Sequence, residues 1–281
     1  MIILKYTEYD YKTLKHLQNV ELMILKDFIK ICEENNLTYY MYAGSLLGAV
    51  RHNGFIPWDD DLDVVMFRDD FEKLNRILIN LNSKKYRLLS IKTEKDYFYF
   101  FSKFMLKNTK FEENWIDQVD FNIGINIDIF VLDDLSDSNF KRQYQLKKSF
   151  LYSKLLLMSK IKVDDLPFIT KVITHSISNL LNLFKIKPNT INKRCLNFLK
   201  KYGDENSGLV FDISATSQEY PLIFDKNDFN DIVKTQFEDT EVNIPKNYDK
   251  ILTEMYGNYM ELPPKEKRYN HPIDNLDFGE Y

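Results

Sequence analysis

The sequence predicts an α/β fold: a mixed sheet core that carries a helical insertion. Over the first 138 residues, short runs rich in β-branched and aromatic residues alternate with segments of helical period, which is typical of a sheet covered by helices. From 139 to 204 the composition changes to Leu, Phe and Ile interleaved with Lys and Arg, and Pro167 and Pro188 are expected to break this part into separate helices. Mixed α/β character returns over 205–281. We therefore predict a core at 1–138, a helical insertion at 139–204, and a C-terminal region that packs back on the core.

The first predicted elements are a long helix, a strand and a short helix. Apolar residues on one broad face predict a helix over 11–34, to which we assign a structural role in covering the sheet. A strand over 38–43 follows and ends at Gly44-Ser45, which open a helix reaching Arg51. Such a junction leaves free backbone N–H groups that can hold a phosphate, and Ser45 can cap the helix or contact that phosphate.

A cluster of four aspartates precedes the next predicted strand, Val64–Phe67. A strand that begins near Asp61 places Asp61 and Asp63 on one face, about 6–7 Å apart. At that separation two carboxylates repel by about 2–3 kcal/mol at an effective dielectric near 20. The pattern favours a hard cation such as Mg²⁺ between them, and the alternative is a solvated acidic turn. The four aspartates are Asp59, Asp60, Asp61 and Asp63.

A helix is predicted over 69–82, and two short strands follow it at 86–91 and 97–106. The second strand contains Lys103. A lysine at this place is either a phosphate ligand or an ordinary strand lysine, and the residues leave both readings open.

The run from Gly124 to Asp133 predicts an apolar strand that is interrupted by Asn126 and Asp128. Period-two alternation puts Asp128 on the face opposite Ile127, together with Asn126. A carboxylate in the middle of such a strand is costly to bury unless it is paired or binds a metal. We therefore predict a functional role for Asp128, whereas Asp133 and its neighbour Asp134 are expected only to end the strand.

Composition and charge exclude several classes of protein. The formal net charge of −4 and the pI near 5.7 argue against a dedicated nucleic-acid binder. Two cysteines cannot form a disulfide framework, and the N-terminus does not read as a signal peptide, so a cytoplasmic protein is expected. The lysines of 139–204 are candidates for peripheral contact with anionic lipid or a lipid-linked glycan. The alternative is a solvated basic face.

The segment from Tyr40 to Met66 resembles the signature of a known family. It contains Gly-Ser-Leu-Leu-Gly-Ala-Val-Arg-His-Asn-Gly-Phe-Ile-Pro-Trp-Asp-Asp-Asp-Leu-Asp-Val, which is similar to the signature of the LicD (fukutin-related) phosphotransferases. These belong to the nucleotidyltransferase-fold superfamily, whose pattern is Gly-Ser, then Asp-x-Asp, then a third carboxylate on a later strand. The Ile-Asp-Ile-Phe run around Asp128 resembles that later strand. Residues 237–271 resemble the closing motif of the family, whereas the helical middle matches it poorly.

The resemblance implies roles for particular residues. Asp61, Asp63 and Asp128 would be the catalytic residues and would bind Mg²⁺ or Mn²⁺. The family commonly has a basic residue where this chain has Met105, which weakens the expectation of a phosphate contact near Lys103. The donor contacts expected from the resemblance are Gly44, Ser45, Arg51, Lys103, Arg268 and His271.

The reaction implied by the resemblance is transfer of phosphocholine from CDP-choline to a sugar hydroxyl of a cell-surface glycan, with release of CMP. The glycan would be a lipopolysaccharide, teichoic acid or capsule, and the reaction would occur in the cytoplasm or on the inner face of the membrane. Alternatives are transfer of another phospho-alcohol such as ribitol phosphate from a CDP donor, or a true nucleotidyltransferase. A non-catalytic glycan-assembly or membrane-docking protein is a further alternative, which the three carboxylates argue against.

Overall fold

The computed structural model describes residues 9–113, 119–161, 167–203, 207–214, 223–271 and 273–281. Helices and strands both contribute to the core, so the predicted mixed α/β class is confirmed. The central sheet has the strand order β1-β2-β6-β4-β3, and β7 and β8 extend it from β6. These strands are β1 (Tyr40–Met41), β2 (Asp63–Phe67), β3 (Tyr86–Leu89), β4 (Ser102–Leu106), β6 (Asn126–Asp134), β7 (Leu209–Asp212) and β8 (Ile223–Asp225).

The pairing of three neighbouring strands positions the polar residues of the sheet. Strand β2 runs parallel to β6, and Asp63 lies opposite Asp128. On the other side of β6, β4 runs antiparallel, and Lys103 lies opposite Asp128. Because directly paired residues point to the same face of a sheet, these three side chains form a row across three strands.

The helix α1 (Tyr11–Glu34) has the predicted bounds, and its ends follow from local chemistry. The Asp10 side chain caps the N-terminus by accepting hydrogen bonds from the N–H groups of Lys12 and Thr13. One face of the helix is buried against the sheet through Leu17, Ile24, Leu25 and Phe28. Each fully buried side chain of this size contributes about 1.5–3 kcal/mol of transfer free energy.

Several predicted boundaries move in the structure, among them those of β1 and β3, which are shorter than predicted. β2 begins at Asp63 rather than at Asp61, because the preceding residues form the connection from α2 (Ala43–His52). β4 begins at Ser102, since 97–101 turn to bury Tyr97 in a second apolar cluster before the strand starts. The helix α3 (Arg68–Asn80) begins one residue earlier than predicted and ends two residues earlier.

Three helices form what we call the helical arm: α4 (Asn139–Met158), α5 (Phe168–Leu183) and α6 (Pro188–Tyr202). The breaks predicted at the two prolines are confirmed, because α5 follows Pro167 and α6 starts at Pro188, where the missing N–H is tolerated. Side chains of the arm share the second apolar cluster with the core, among them Leu156, Leu181 and Cys195. Among the residues that the structure describes, no helix has the length and apolarity needed to cross a bilayer.

The C-terminal region contributes buried side chains to the main apolar cluster, among them Phe237, Ile251 and Leu252. A hairpin of β9 (Ile232–Phe237) and β10 (Thr240–Pro245) precedes α7 (Tyr248–Tyr256), which ends at Gly257 with φ near 68°. The last strand, β11 (Ile273–Asp277), pairs antiparallel with β5 (Lys110–Glu113).

A buried ion pair connects β6 to α3. The Arg68 guanidinium donates from Nε to Asp133 Oδ1 at 2.7 Å and from Nη2 to Asp133 Oδ2, and Asp134 pairs with Lys226 at 2.8 Å. The two aspartates are the last two residues of β6, so the expectation that they end the strand is confirmed. They remain in the strand because each carboxylate has a cationic partner.

We predict that Arg68→Ala destabilises the fold strongly, because it leaves the Asp133 carboxylate buried without a partner. Breaking a buried pair costs about 3–5 kcal/mol, and a change of 1 kcal/mol moves Tm by about 2–4 °C in a protein of this size. Thermal unfolding should therefore show a Tm lower by at least about 6 °C. Arg76→Ala, on an exposed face of the same helix, is the control and should change Tm little. Equal Tm values for the two variants would contradict the stabilising role of the Arg68–Asp133 ion pair.

Candidate active site

A cavity of about 350 Å³ opens at the amino-terminal ends of β2 and β6. Its walls combine acidic and aromatic side chains with one lysine and one histidine. Three of the predicted site aspartates line it together, so the fold brings together residues that are 65 positions apart in the chain. The lining residues are Glu21, Asp60, Asp61, Leu62, Asp63, Tyr99, Phe101, Lys103, Phe111, Glu113, Asn126, Asp128, Phe130 and His271.

The Lys103 ammonium lies at the centre of the acidic wall. Its Nζ donates to Asp128 Oδ1 at 2.8 Å and to Asp128 Oδ2 at 3.0 Å, and Asn126 Oδ1 lies at 3.4 Å. The same Nζ is 5.2 Å from the centre of the Tyr99 ring and 5.3 Å from that of Phe101, within the range of cation–π attraction. The structure therefore places Lys103 as the counter-ion of Asp128.

Burial and the lysine act on Asp128 in opposite directions. Burial raises the pKa of the Asp128 carboxyl, and the charge and hydrogen bonds of Lys103 lower it, which leaves the pKa at about 6. A carboxylate with a pKa near 6 is ionised at neutral pH and can still accept a proton, which is the property of a general base. The prediction that Asp128 shares a face with Asn126 is confirmed by their common contact with Lys103.

The loop before β2 brings Asp61 and Asp63 to the same cavity. Asp63 is held at its backbone, where its N–H donates to Ser45 Oγ at 2.8 Å. Burial, and then the charges of Asp61 and Asp128, raise the pKa of Asp63 well above its usual value. Three carboxylates thus lie close together and repel one another, and a bound cation would reduce this repulsion.

We tested whether this set of residues suits a metal ion. Within the described part of the chain, no three His, Cys, Asp or Glu side chains converge closely enough to hold a metal by themselves. Mg²⁺ does not require this, since it is usually bound by one or two carboxylates together with water and substrate phosphates. The oxygen ligands Asp61 and Asp63 therefore fit a Mg²⁺ ion that a phosphate-bearing substrate completes.

The start of α2 is closely packed against the aspartate loop. A Cβ at Gly44 would lie 2.8 Å from Asp59 Oδ2, so a larger residue there would displace the Asp59 carboxyl. Burial, and then Asp61, raise the pKa of Asp59 well above its usual value. Gly44 and Ser45 thus position two aspartates in the structure, and their contact with a donor phosphate stays a prediction.

Asp60 connects the aspartate loop to the C-terminal region. Its fully buried carboxylate accepts hydrogen bonds from the backbone N–H of His271 at 2.9 and 3.1 Å, and His271 Nδ1 lies 3.0 Å from Oδ1. The charge of Asp61, followed by that of Asp60, raises the pKa of His271 well above its usual value. His271 is therefore a cationic group at the edge of the acidic cavity.

Two predicted donor contacts, Arg51 and Arg268, lie outside the lining of this cavity. Arg51 donates to the carbonyl oxygens of Tyr259 at 2.6 Å and Glu261 at 3.3 Å. Arg268 donates to the carbonyl oxygen of Pro263 at 2.8 Å, and its guanidinium lies 5.0 Å from the centre of the Trp58 ring. In the structure both arginines hold the C-terminal segment against the core, and their contact with a substrate stays a prediction.

Sequence reasoning missed Glu21, which reaches the cavity from α1. The residue is 2% exposed, and its Oε2 has no hydrogen-bond partner. Burial, followed by the charges of Asp61 and Asp60, raises its pKa well above the usual value. A signal was present, because Gln18 and Glu21 interrupt the otherwise apolar face of α1 at helical spacing. Gln18 Nε2 donates to the carbonyl oxygen of Asp59 at 2.8 Å, so both polar residues face the aspartate loop.

We predict that Glu21→Gln stabilises the metal-free protein at pH 7–8 and has little effect at about pH 4. Because the folded-state pKa lies above the unfolded-state pKa, the unfolded chain loses a proton above about pH 4.3 that the folded protein retains. Glu21 therefore costs stability as the pH rises, and the neutral amide removes that cost. Tm measured in EDTA should rise by at least about 2 °C at pH 8.

The matched control for this change is Glu34→Gln, which makes the same replacement at the exposed end of α1. Its Tm should follow the wild-type value at both pH values. A Glu21→Gln protein whose Tm relative to wild type does not change between pH 4 and pH 8 would contradict the assigned ionisation.

The chain is similar to known proteins of one family. The family described as LicD/FKTN/FKRP, nucleotidyltransferase domain, matches residues 36–152, which include the aspartate loop, Lys103 and Asp128. The lipopolysaccharide cholinephosphotransferase LicD of Haemophilus influenzae is 30% identical over 265 residues, which are 93% of this chain and 96% of that protein. The ribitol 5-phosphate transferases FKRP of mouse and human are 40% identical over 42 residues, 15% of this chain and 8% of theirs.

The similarity to the Haemophilus protein extends over nearly the full length of both chains, and the family match includes Asp61, Asp63 and Asp128. The chain therefore belongs to the LicD family of transferases.

Proposed function

We propose that this protein transfers phosphocholine from CDP-choline to a sugar hydroxyl of a lipopolysaccharide or a related cell-surface glycan, with release of CMP. The observation that carries the proposal is the row of Asp63, Asp128 and Lys103 at the base of a cavity with aromatic walls. A Mg²⁺-dependent reaction on the cytoplasmic side of the membrane is part of the proposal. The activity of the Haemophilus relative supports it, because that protein is a lipopolysaccharide cholinephosphotransferase.

The acidic loop would bind the donor through a cation. Phosphoryl transfer requires positioning and neutralisation of charge more than covalent chemistry by the protein. Asp61 and Asp63 would hold Mg²⁺, which when bound neutralises the charge of the donor diphosphate. Mn²⁺ suits the same oxygen ligands.

The proton of the acceptor hydroxyl would pass to Asp128. The hydroxyl oxygen attacks the phosphorus atom that carries choline, and the bond from that phosphorus to the bridging oxygen breaks, so that CMP leaves. Asp128 accepts the hydroxyl proton, and Lys103 keeps its carboxylate ionised and oriented beforehand. This pairing argues for Asp128 as a base rather than as a metal ligand, because the Lys103 ammonium already lies beside both of its oxygens as the cation.

The composition of the cavity walls favours a quaternary ammonium head group. Tyr99, Phe101, Phe111 and Phe130 supply aromatic surface, and Glu113 supplies negative charge beside it. Aromatic rings together with carboxylates are the surroundings that hold choline in proteins.

Ribitol phosphate is the second candidate for the transferred group. It is favoured by the identity of 40% over 42 residues to the ribitol 5-phosphate transferases FKRP. Transfer of ribitol phosphate would use the same aspartates and the same base as transfer of phosphocholine. The two reactions would differ only in the residues that contact the head group. Transfer of the nucleotide itself would also use these aspartates, and the donor experiment below separates the three reactions.

We predict that CDP-choline binds in the presence of Mg²⁺ and raises Tm, with weaker effects of CDP-ribitol and CTP. A ligand present at 100 times its Kd stabilises by about 2.7 kcal/mol, which corresponds to about 5–10 °C here. Asp63→Asn should abolish the shift, whereas Asp69→Asn, an exposed residue in the first turn of α3, should preserve it. Thermal shift and calorimetry measure both quantities.

The donor panel decides between the reactions. A larger response to CDP-ribitol would replace phosphocholine as the transferred group, and a response confined to CTP would favour nucleotide transfer. The absence of any Mg²⁺-dependent binding would contradict the proposal as a whole.

We predict that Asp128→Asn keeps Mg²⁺-dependent CDP-choline binding and loses about 10²–10⁴-fold in the rate of CMP release, the usual contribution of a general base. In the wild-type protein the rate should rise with pH through a value of about 6, as Asp128 becomes ionised. The variant should lack this dependence. Loss of donor binding in Asp128→Asn would instead make Asp128 a metal ligand, as the sequence predicts.

A further inference from the structure

The helix α5 exposes apolar residues on one face, in two groups that the polar residues Ser176 and Asn179 separate. Its exposed apolar side chains recur at spacings of three, four and seven residues, which places them on one helix face. The opposite face is the buried one, where Thr174 and Leu181 contact the rest of the protein. We call this set the α5 stripe: Phe168, Ile169, Val172, Ile173, Leu180 and Leu183.

The exposure of the stripe is large for side chains of this kind. Phe168 is 80% exposed, Leu183 is 74% exposed and Ile169 is 72% exposed. Single apolar residues are common on protein surfaces, but six exposed ones on a single helix face mark a surface that binds something. An amphipathic helix normally buries its apolar face, and α5 presents one to solvent.

All charges described on the helical arm are positive. Residues 139–161 and 167–203 contain thirteen Lys and Arg residues and no Asp or Glu. Asp164 and Asp165, the two acidic residues of 139–203, lie outside the described residues. This charge contrasts with the remainder of the chain, where acidic residues outnumber basic ones by 40 to 24.

From these observations we propose that the α5 stripe is a docking surface for an anionic lipid bilayer. An apolar helix face with surrounding basic side chains is the arrangement that lies in the interface of a membrane, where the apolar residues enter the acyl boundary and the cations meet acidic head groups. The exposed Lys185 lies two residues after Leu183, the last residue of the stripe, near enough to contact those head groups.

The charge also argues against a second copy of the chain as the occupant. Two arms brought together through their α5 stripes would place two sets of thirteen positive charges side by side. An anionic surface is instead attracted by the same charges, and it also accepts the apolar stripe. Dimerisation remains a separate outcome of the experiment.

The arm is joined to the wall of the active-site cavity. In α6, Asn192 Nδ2 donates to the carbonyl oxygen of Tyr99 at 3.0 Å, and Asn189 Nδ2 donates to that of Ile91 at 2.9 Å. Because Tyr99 lines the cavity, an arm seated on a bilayer keeps the cavity close to that surface. Such a position suits an acceptor that is itself part of a lipid.

The test is flotation of the full-length protein with vesicles. One set contains phosphatidylcholine alone and the other contains about 30% phosphatidylglycerol, each at about 50 mM and about 500 mM NaCl. We expect binding to the anionic vesicles that weakens at high salt, and little binding to the neutral ones. Absence of binding to anionic vesicles at low salt would overturn the proposal.

Two matched double variants separate the apolar stripe from simple charge. Ile169→Glu/Leu183→Glu places two negative charges on the stripe, and Thr170→Glu/Asn182→Glu places two at exposed positions of α5 outside it. We expect the first to reduce vesicle binding at least about tenfold and the second to reduce it much less. Equal binding by the two variants would overturn the role of the stripe.

Two further measurements make the result specific. Both variants should keep the wild-type Tm and the Mg²⁺-dependent donor binding, because the stripe lies apart from the cavity lining. Size-exclusion chromatography with light scattering tests the other occupant. A concentration-dependent dimer that only the stripe variant disrupts, without vesicle binding, would overturn the proposal and assign the face to a second copy.

Discussion

The active site depends on holding like charges together in a buried place. Asp63 and Asp128 are directly paired on adjacent parallel strands, where ionised carboxylates about 5 Å apart repel by about 3 kcal/mol at an effective dielectric near 20. The protein compensates part of this repulsion with the Lys103 ammonium on the third strand. Burial, and then repulsion among the neighbouring carboxylates, raises the pKa values of Asp59, Asp63 and Glu21. The site is thus arranged to gain stability when a cation and a phosphate-bearing substrate bind.

Much of the core could be predicted from sequence because local patterns determine it. The helix α1 has the predicted bounds, because residues that are close together in the sequence form its N-terminal cap and its apolar face. Asp128 could be recognised because a carboxylate inside Ile-Asp-Ile-Phe has no structural reason to be there. The pairing of Asp128 with Lys103 could not be seen, because it depends on the register between β4 and β6 and not on either strand alone.

The parts that sequence reasoning missed are the contacts made over long separations. His271 reaches Asp60 across 211 residues because β11 returns to pair with β5, and no local signal specifies that pairing. Sequence reasoning missed Glu21 as a site residue for a different reason. A helix with a strong apolar pattern reads as structural, and the polar interruptions at Gln18 and Glu21 acquire meaning only when the aspartate loop is known to lie against them.

The helical arm and the acidic cavity carry charges of opposite sign. The aspartate loop and the cavity are acidic, whereas the described charges of the helical arm are all basic, so the molecule carries opposite charge on the two parts that α6 joins. An anionic surface would attract the arm and repel the acidic remainder, and the protein would therefore approach such a surface in one orientation. The arm would then bind the surface first. The side of the cavity that contains Tyr99, which is hydrogen-bonded to Asn192 of α6, would face the region where a lipid-borne hydroxyl is presented. Charge separation within one chain can thus orient the site relative to its acceptor before any specific contact with the sugar forms.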